Sequence, residues 1–490
     1  MYVMSRVYRP LAILFVFVLA VAIGVSIWQQ VDNNRARSHV PIIIYLVDTL
    51  RADRLGIYGH DYPVSPSPNI DALAVESVVF DAAYSPAPWT LPSVASLITS
   101  TWPCEHGLLT SGSKLSPTIL TLAERLQGIG YVTAGMYANH LVGPMADLNR
   151  GYESFELQVG EYKFAEFSAY TLTQVDDDPL FLYLHSMEPH NFYMTPPWFS
   201  RFYVRFTSAD YAELKSLWIG CRNLKVADYN ANRVPGTTVN TVEQEACNRS
   251  LQDIWSKIDR MYDAGITHAD FEVGKVIEVL KSSGIWDKAI FIFLSDHGEE
   301  FGEHGEWSHE QSVYEELVRV PLIIHFPNDR YAGQRVSEPV ALVDIMPTIF
   351  DFLAQPDLCD GCRGRSLLSL LHGDSAPQGP EQKIMSYRHN LRTFYQPAKE
   401  ARGDLNIAIR QDRWKGIWND EIAKLELYDL TADPAERFDV SEQHVNLAGD
   451  LARNAQRWLG ECQARRADVE IVNPLDEQQR EQLKSMGYLQ

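Results

Sequence analysis

Four short, strongly apolar runs place the tightest constraint on the fold of this chain. Each is rich in β-branched and aromatic residues and is apolar on both alternating faces, which is typical of a central strand covered by helices. The runs are residues 40–48 (VPIIIYLVD), 179–187 (PLFLYLHSM), 289–297 (AIFIFLSDH) and 320–327 (VPLIIHFP). Helical patterns lie between them, for example at residues 116–130 and 267–284. This alternation predicts an α/β fold with a parallel sheet.

Groups that bind metal ions or move protons stand at the ends of three of these predicted strands. Asp48 ends the first run, His185 and His190 lie at the end of the second, and Asp296 and His297 end the third. In open parallel sheets, ligands bind beyond the carboxyl ends of the strands. Each residue alone would be an ordinary turn or cap residue, but together they predict a functional site at this edge of the sheet.

The third strand end is the richest in possible ligands, because residues 295–311 read SDHGEEFGEHGEWSHEQ. A solvated acidic loop is the simplest interpretation. An Asp-His pair directly after a buried strand, with His304 and His309 further on, instead suggests metal ligands and residues that orient them. The expected ligands of one or two divalent ions are Asp48, Thr90, Asp296 and His297. Mixed oxygen and nitrogen donors suit zinc or manganese better than calcium, and magnesium also stays open.

Thr90 begins a predicted helix in the segment SPAPWTLPSVASLITS, residues 85–100. A Thr followed two places later by Pro92 is an ordinary helix start, with the threonine as N-cap. The same geometry would direct a hydroxyl and several unpaired amide N–H groups at one spot, which favours an anion. A metal ion there would lower the pKa of the hydroxyl. We therefore predict that Thr90 attacks a tetrahedral phosphorus or sulfur centre, while His190 or His309 protonates the leaving oxygen.

The N-terminus predicts export. Arg6 and Arg9 precede an uncharged apolar run at residues 11–28, which is just long enough to span a bilayer. The favoured interpretation is a signal anchor in the inner membrane, with residues 1–10 cytoplasmic, residues 29–39 a linker, and the catalytic domain periplasmic or extracellular. The alternative is a cleaved signal peptide, since residues 20–22 (AVA) form an acceptable cleavage site.

Export makes disulfides possible, and the six cysteines are an even number. The expected local pairs are Cys221 with Cys247 and Cys359 with Cys362. A single CxxC is weak evidence for a zinc site.

The pattern of the chain predicts a catalytic domain and a smaller C-terminal unit. The catalytic domain covers residues 40–373, with an insertion at about residues 197–248 where the strand and helix rhythm breaks. Residues 374–490 suggest a small antiparallel α+β subdomain with a turn at residues 432–434, a helix at about residues 445–458 and a helical tail.

The formal net charge of −21 excludes some partners. It argues against nucleic acid, and against anionic membranes bound through bulk electrostatics. An anionic substrate would have to be held by local cations or by metal.

The ordered set of motifs resembles the sulfatase branch of the alkaline phosphatase superfamily. The motifs are VDTLRADRLGIYG, SPNIDAL, WTLPSVASLITSTWPCEHG, MEPHNFY, SDHGEEFGEHG, SHEQSVYEELVRVPLII, LYDLTADPAE and LKSMGYL. The resemblance implies an α/β/α sandwich with a smaller C-terminal subdomain and a metal-dependent ester-cleaving site. It implies metal ligation by Asp48, Asp296 and His297. It also places Thr90 at the nucleophile position, His190 beside the leaving group, and His309 at a histidine that relatives carry before a Tyr-Glu-Glu segment.

Departures from the family pattern bear on the mechanism. Sulfatases carry a Cys or Ser that matures to formylglycine, followed by x-Pro-x-Arg, whereas this chain has Thr90 and Val94. We therefore expect no formylglycine. The paired aspartates of the first strand are here Asp48 and Thr49, and the lysine of a Gly-Lys-Trp-His element is absent from residues 137–143 (YANHLVG). Threonine at this position resembles phosphodiesterase, nucleotide pyrophosphatase and phosphoethanolamine transferase relatives, which favours phosphate esters and leaves sulfate esters open.

Three functions are therefore considered. The first is an exported, metal-dependent hydrolase of sulfate or phosphate esters, whose substrate is a small molecule, a glycan or a lipid. The second is a transferase that passes a phospho-group to a lipid or glycan of the cell envelope. The third is a non-catalytic binding module, which the retained buried charges disfavour.

Overall fold

The computed structural model describes residues 39–60, 65–175, 178–190, 242–304, 307–372, 384–389, 405–468 and 470–471. The strands within these ranges are β1 (Ile42–Val47), β2 (Val78–Phe80), β3 (Ala83–Tyr84), β4 (Ser113–Lys114), β5 (Val132–Tyr137), β6 (Ser154–Leu157), β7 (Leu180–Ser186), β8 (Ile290–Ser295), β9 (Glu300–Phe301), β10 (Trp307–Ser308), β11 (Arg319–Val320), β12 (Leu322–His325), β13 (Arg335–Val336), β14 (Val340–Ala341), β15 (Ile384–His389), β16 (Leu405–Gln411), β17 (Trp414–Asn419), β18 (Lys424–Asp429) and β19 (Glu470–Ile471). The α-helices are α1 (Pro68–Val75), α2 (Thr90–Thr99), α3 (Pro103–His106), α4 (Leu122–Gln127), α5 (Phe164–Gln174), α6 (Val242–Ser282), α7 (Glu315–Val318), α8 (Ile345–Phe352), α9 (Leu368–Leu371) and α10 (Val445–Ala464).

An eight-stranded sheet forms the centre of the molecule, in the order β13-β2-β12-β8-β1-β7-β5-β6. The strand β1 pairs in parallel with β7 on one side and with β8 on the other. Side chains of β1 alternate between the two faces, as expected of a strand that is buried on both sides. Ile42, Ile44 and Leu46 pack with α2, α4 and α8, whereas Ile43, Tyr45 and Val47 pack with α1, α5 and α6. The predicted α/β/α sandwich is confirmed.

The fourth apolar run departs from the prediction of a parallel strand. The strand β12 runs antiparallel to both of its neighbours, β8 and β2. A parallel neighbour needs a crossover that returns the chain to the starting edge of the sheet. The segment between β8 and β12 instead forms the β9–β10 hairpin, α7 and the short strand β11, so the chain re-enters the sheet beside β8 in the reverse direction.

The C-terminal unit is a four-stranded antiparallel sheet, in the order β15-β16-β17-β18, covered by α10. Leu451, Ala455 and Leu459 of α10 are buried against this sheet. The predicted antiparallel unit is confirmed, although its helix extends six residues beyond the predicted end, to Ala464. The predicted tail lies outside the described residues.

Two disulfides are present among the described residues. Cys359–Cys362 confirms the predicted local pair. Cys104–Cys462 joins α3 of the catalytic domain to α10, a long-range pairing that the sequence analysis did not predict. The expected Cys221–Cys247 pair lies outside the described side chains, as does most of the predicted insertion, although α6 already begins at Val242 within it.

In the part of the chain that the structure describes, none of the helices is both long and apolar enough to cross a membrane. The candidate span at residues 11–28 lies outside that part.

Candidate active site

Two parallel strand ends bring the acidic residues of the site together. Val47 of β1 and Ser295 of β8 are register partners, so Asp48 and Asp296 leave the same edge of the sheet side by side. Both carboxylates are fully buried. Asp296 Oδ1 accepts hydrogen bonds from the backbone N–H groups of Thr49 (3.3 Å) and His297 (3.0 Å). The sequence prediction of a shared edge is confirmed.

The turn after Asp48 is held in an unusual conformation. Thr49 has a φ of 58°, which is uncommon for a β-branched residue. The hydroxyl of Tyr262 donates to the Thr49 carbonyl (2.6 Å) and accepts from the Arg51 N–H (2.8 Å). The Arg51 side chain is paired with Asp53 and Glu303. These contacts hold the loop after the first strand in place.

Thr90 lies at the start of α2, but it is not the N-cap. The cap is Trp89, whose backbone is extended, and Thr90 is the first residue of the helix. The prediction of a capping threonine is therefore wrong, because the Thr90 side chain is engaged across the site. Its Oγ1 lies 3.4 Å from Asp48 Oδ2 and 3.3 Å from His297 Nε2. Pro92 lies in the first turn, as predicted.

Asn139 completes the surroundings of the Thr90 hydroxyl. Its Nδ2 donates to Asp48 Oδ2 (2.8 Å) and to Thr90 Oγ1 (3.3 Å). Its Oδ1 accepts the Leu141 N–H (3.0 Å), which fixes the orientation of the amide. The helix position where relatives carry an arginine holds Val94, which is buried in the core.

The four residues expected to ligate metal converge. His297 Nε2 lies 3.4 Å from Asp48 Oδ1 and 3.5 Å from Asp296 Oδ2. These two carboxylate oxygens are buried and accept no hydrogen bond from any described residue. Ligand atoms of Asp48, Asp296 and His185 also lie within 4.8 Å of one another. Buried carboxylate oxygens without donors, beside imidazole nitrogens, fit a divalent cation.

His185 is a donor that the predicted ligand set lacks. It lies inside β7, fully buried, with Nε2 3.3 Å from Asp48 Oδ2 and Nδ1 3.0 Å from the Tyr183 hydroxyl. The signal was present in the sequence, since His185 stands at the end of the second apolar run. The pattern could not show that its Nε2 faces the Asp48 carboxylate at the end of the neighbouring strand β1.

The electrostatics of the site also favour binding of a cation. Burial raises the pKa of Asp296 well above its ordinary value, and the negative charge of Asp48 adds to this rise. Burial also acts on Asp48, but the imidazoles of His190, His185 and His297 outweigh it and lower its pKa. Burial lowers the pKa of His297. Two adjacent buried carboxylates cannot both ionise easily without a cation between them.

His190 and His309 lie together at the site. Their ring centroids are 5.0 Å apart, and the His309 ring lies 4.7 Å from that of His297. His309 Nδ1 lies 3.2 Å from Glu299 Oε1. Burial disfavours the imidazolium, but the charge and hydrogen bond of Glu299 outweigh it and raise the pKa of His309. A protonated His309 can donate a proton to a leaving oxygen. No sequence pattern assigned a role to Glu299.

His304 belongs to a different cluster. Its Nδ1 pairs with Glu316 Oε1 (2.6 Å), and its Nε2 lies 3.2 Å from the Glu436 carbonyl oxygen. Lys415 is buried nearby in ion pairs with Glu315 and Glu436. The expectation that His304 surrounds the metal is therefore wrong, because both ring nitrogens contact the junction with the C-terminal unit.

Residues 41–354 match the sulfatase family model, and residues 302–457 match the model described as N-sulphoglucosamine sulphohydrolase, C-terminal. The chain belongs to the sulfatase family. The relatives described next are hydrolases. An arylsulfatase of Clostridium perfringens is 25% identical over 460 residues, covering 81% of this chain and 89% of the relative. An N-acetylglucosamine-6-O-sulfatase of Bacteroides thetaiotaomicron is 23% identical over 469 residues, covering 81% of each.

Solved structures confirm the fold of this sulfatase-family chain. The phosphonate monoester hydrolase of Agrobacterium radiobacter superposes with a TM-score of 0.66 at 18% identity, covering 90% of this chain and 99% of that one. A protein solved in complex with its substrate D-glucosamine-2-N,6-O-disulfate superposes with a TM-score of 0.65 at 20% identity, covering 87% of this chain and 98% of that one.

Proposed function

We propose that this member of the sulfatase family is an exported, metal-dependent hydrolase that cleaves sulfate or phosphate esters with Thr90 as its nucleophile. The observation that carries the proposal is the position of Thr90 Oγ1, within 3.4 Å of both Asp48 Oδ2 and His297 Nε2. The N-cap of the helix is Trp89, and Thr90 is its first residue.

Asp48, Asp296 and His297 would hold a divalent ion, with His185 and the Thr90 oxygen as further donors. When bound, such an ion supplies positive charge that neutralises an anionic ester and makes a nearby hydroxyl more acidic. Zinc and manganese suit the mixed donor set best.

The protein's own side chains carry out the nucleophilic attack, the protonation of the leaving oxygen and the hydrolysis of the threonine ester. The Thr90 hydroxyl gives its proton to Asp48 Oδ2, and its oxygen attacks the sulfur or phosphorus atom while the bond from that atom to the leaving oxygen breaks. His309, held by Glu299, protonates the leaving oxygen, and His190 lies beside it. Asn139 Nδ2 orients the nucleophile. Water then attacks the threonine ester and loses a proton to the deprotonated His309. The bond from the sulfur or phosphorus atom to Thr90 Oγ1 breaks, and Asp48 returns the proton to the Thr90 oxygen.

The substrate is a sulfate or phosphate ester of a small molecule, a glycan or a lipid. The similarity to an arylsulfatase and to an N-acetylglucosamine-6-O-sulfatase supports sulfate esters, and the phosphonate monoester hydrolase shares the fold. Threonine favours phosphate esters, because a threonine ester lacks the route by which a formylglycine hydrate expels sulfate. No formylglycine is needed in this mechanism.

The N-terminal charge pattern and the disulfides support export. Disulfides persist in oxidising compartments such as the periplasm, and Cys104–Cys462 and Cys359–Cys362 are both formed. We place the catalytic domain in the periplasm or outside the cell, tethered to the inner membrane by residues 11–28. Protease digestion of intact spheroplasts would remove the domain if it is exported and leave it intact if it is cytoplasmic.

The test of the chemistry uses metal-depleted protein restored with zinc, manganese, calcium or magnesium. The substrates are 4-nitrophenyl phosphate, bis(4-nitrophenyl) phosphate and 4-nitrophenyl sulfate. Release of nitrophenol should depend on metal and be lost in Thr90→Ala, whereas Thr99→Ala, at the other end of α2, should retain it. Full activity in Thr90→Ala would show that the assignment of Thr90 as the nucleophile is wrong.

A further inference from the structure

The loop that carries His309 has a strained backbone on both sides of the histidine. Ser308 has a φ of 74° and Glu310 a φ of 83°. Non-glycine residues seldom occupy this region, and they persist there only when the surrounding structure holds them. His309 is 5% exposed. The contacts that hold Ser308 and Glu310 therefore determine where the imidazole lies.

Two hydrogen bonds fix the backbone of Glu310. Its N–H donates to the Pro88 carbonyl (3.0 Å), two residues before Thr90. Its carbonyl accepts from Arg388 Nε (2.6 Å). The first bond joins the histidine loop to the nucleophile segment, and the second joins it to the C-terminal sheet.

Arg388 is itself anchored to the nucleophile segment. It lies in β15, and its side chain is largely buried, at 8% exposure. The preceding Tyr387 N–H donates to the Pro86 carbonyl (2.8 Å), and Ser386 Oγ donates to the Ser85 carbonyl (2.6 Å). One hydrogen-bonded unit thus includes residues 85–88, Glu310 and Arg388. Arg388 is the residue of the C-terminal sheet that bonds to Glu310.

We propose that Arg388 is a positioning residue for His309, so that the C-terminal subdomain takes part in catalysis by setting the place of the leaving-group acid. The inference rests on the proposed function, because it assigns the acid role to His309. Without the Arg388 donor, the Glu310 carbonyl loses the contact that opposes its strained conformation. The imidazole then moves away from the leaving oxygen, while the nucleophile and the metal ligands, held by β1, β8 and α2, stay in place.

The experiment measures leaving-group dependence in Arg388→Met. The substrates are a series of aryl phosphates or sulfates, whichever class the unaltered chain hydrolyses, from 4-nitrophenyl to 4-methoxyphenyl. A poor leaving group needs the acid and 4-nitrophenolate hardly does, since general acid catalysis contributes about 10²- to 10⁴-fold. We expect kcat for the 4-methoxyphenyl ester to fall roughly 30-fold or more, with KM and the 4-nitrophenyl rate within about 3-fold.

The matched control is Arg410→Met. Arg410 lies in β16 of the same sheet, and its Nε likewise donates to the catalytic domain, at the Tyr84 hydroxyl (3.0 Å). It should leave the leaving-group dependence unchanged. Arg388→Lys, which keeps a cationic N–H donor, should restore part of the lost rate. If Arg388→Met does not fold, Arg388→Gln, which keeps a donor without the charge, is compared with Arg388→Lys.

A uniform loss across the series in Arg388→Met, or no loss at all, would overturn the inference. The proposed function is tested separately by Thr90→Ala and His309→Gln. If Thr90→Ala is inactive and His309→Gln shows the leaving-group dependence while Arg388→Met does not, only the role of Arg388 fails. If Thr90→Ala stays active, the proposed function itself fails.

Discussion

The two disulfides should differ strongly in their contribution to stability. Cys104 and Cys462 are separated by 358 residues, and Cys359 and Cys362 by 3. A cross-link stabilises mainly by restricting the unfolded chain, and the effect grows with the length of the closed loop. The chain-entropy relation gives about 6 kcal/mol for the first pair and about 2 kcal/mol for the second. Replacing Cys104 and Cys462 by Ala should therefore lower the free energy of unfolding by about 4 kcal/mol more than replacing the other pair.

The packing around the long-range disulfide allows the stability losses of the two double variants to be compared. Trp102 and Trp458 meet edge to face beside it, with ring centroids 5.7 Å apart, so α3 and α10 remain in contact in the double variant. The assay is urea unfolding of the two double variants and the unaltered chain, followed by far-UV ellipticity without reductant. Equal losses in the two variants, or a larger loss for Cys359→Ala/Cys362→Ala, would refute the loop-length argument.

Three further predictions concern the site and its surroundings. Thr90→Ser should keep activity within about 10-fold, whereas Thr90→Ala should lower kcat/KM by on the order of 10³-fold or more, and similar rates in the two variants would contradict the assignment. Asp296→Asn should abolish metal binding, yet in chelator it should raise the free energy of unfolding by about 1–2 kcal/mol, because it removes the repulsion with Asp48; lower stability in chelator would contradict this. Burial opposes the charge on His304, but the Glu316 carboxylate outweighs it and raises its pKa from 6.5 to about 9. Because the folded-state pKa is the higher one, the stabilisation is complete below the unfolded value and is lost as pH rises through about 9. The stability difference between the unaltered chain and His304→Gln should therefore shrink by on the order of 3 kcal/mol over this window, and a constant difference would contradict it.

The central sheet was predictable because each of its long buried strands is an apolar run that can be recognised in the sequence. The first three apolar runs are β1, β7 and β8, with their polar residues at one edge, because a strand buried on both faces needs such a run. The direction of β12 was not predictable from its composition. Parallel and antiparallel central strands look alike in sequence, and the direction depends on where the preceding loop travels.

The site was predictable where residues follow strands, and less so where distant contacts decide. Asp48 and Asp296 were found from their position, and Thr90 from its helix start. The N-cap assignment failed because the hydroxyl is used across the site, which no local pattern reveals. His185 was noticed but not assigned as a ligand, because it lies inside its strand. Arg388 lies far along the chain from His309, and only the folded structure brings the two together.

The most direct test of the central claim is the intact mass of the full-length chain after brief incubation with an activated aryl phosphate and, separately, an aryl sulfate. We expect a phosphate- or sulfate-sized adduct on Thr90 in metal-loaded protein. It should be absent from Thr90→Ala and removed by water. An adduct that water leaves intact and only an envelope lipid or glycan removes would indicate a transferase. An adduct of that size on another residue, or one that persists in Thr90→Ala, would show that Thr90 is not the nucleophile.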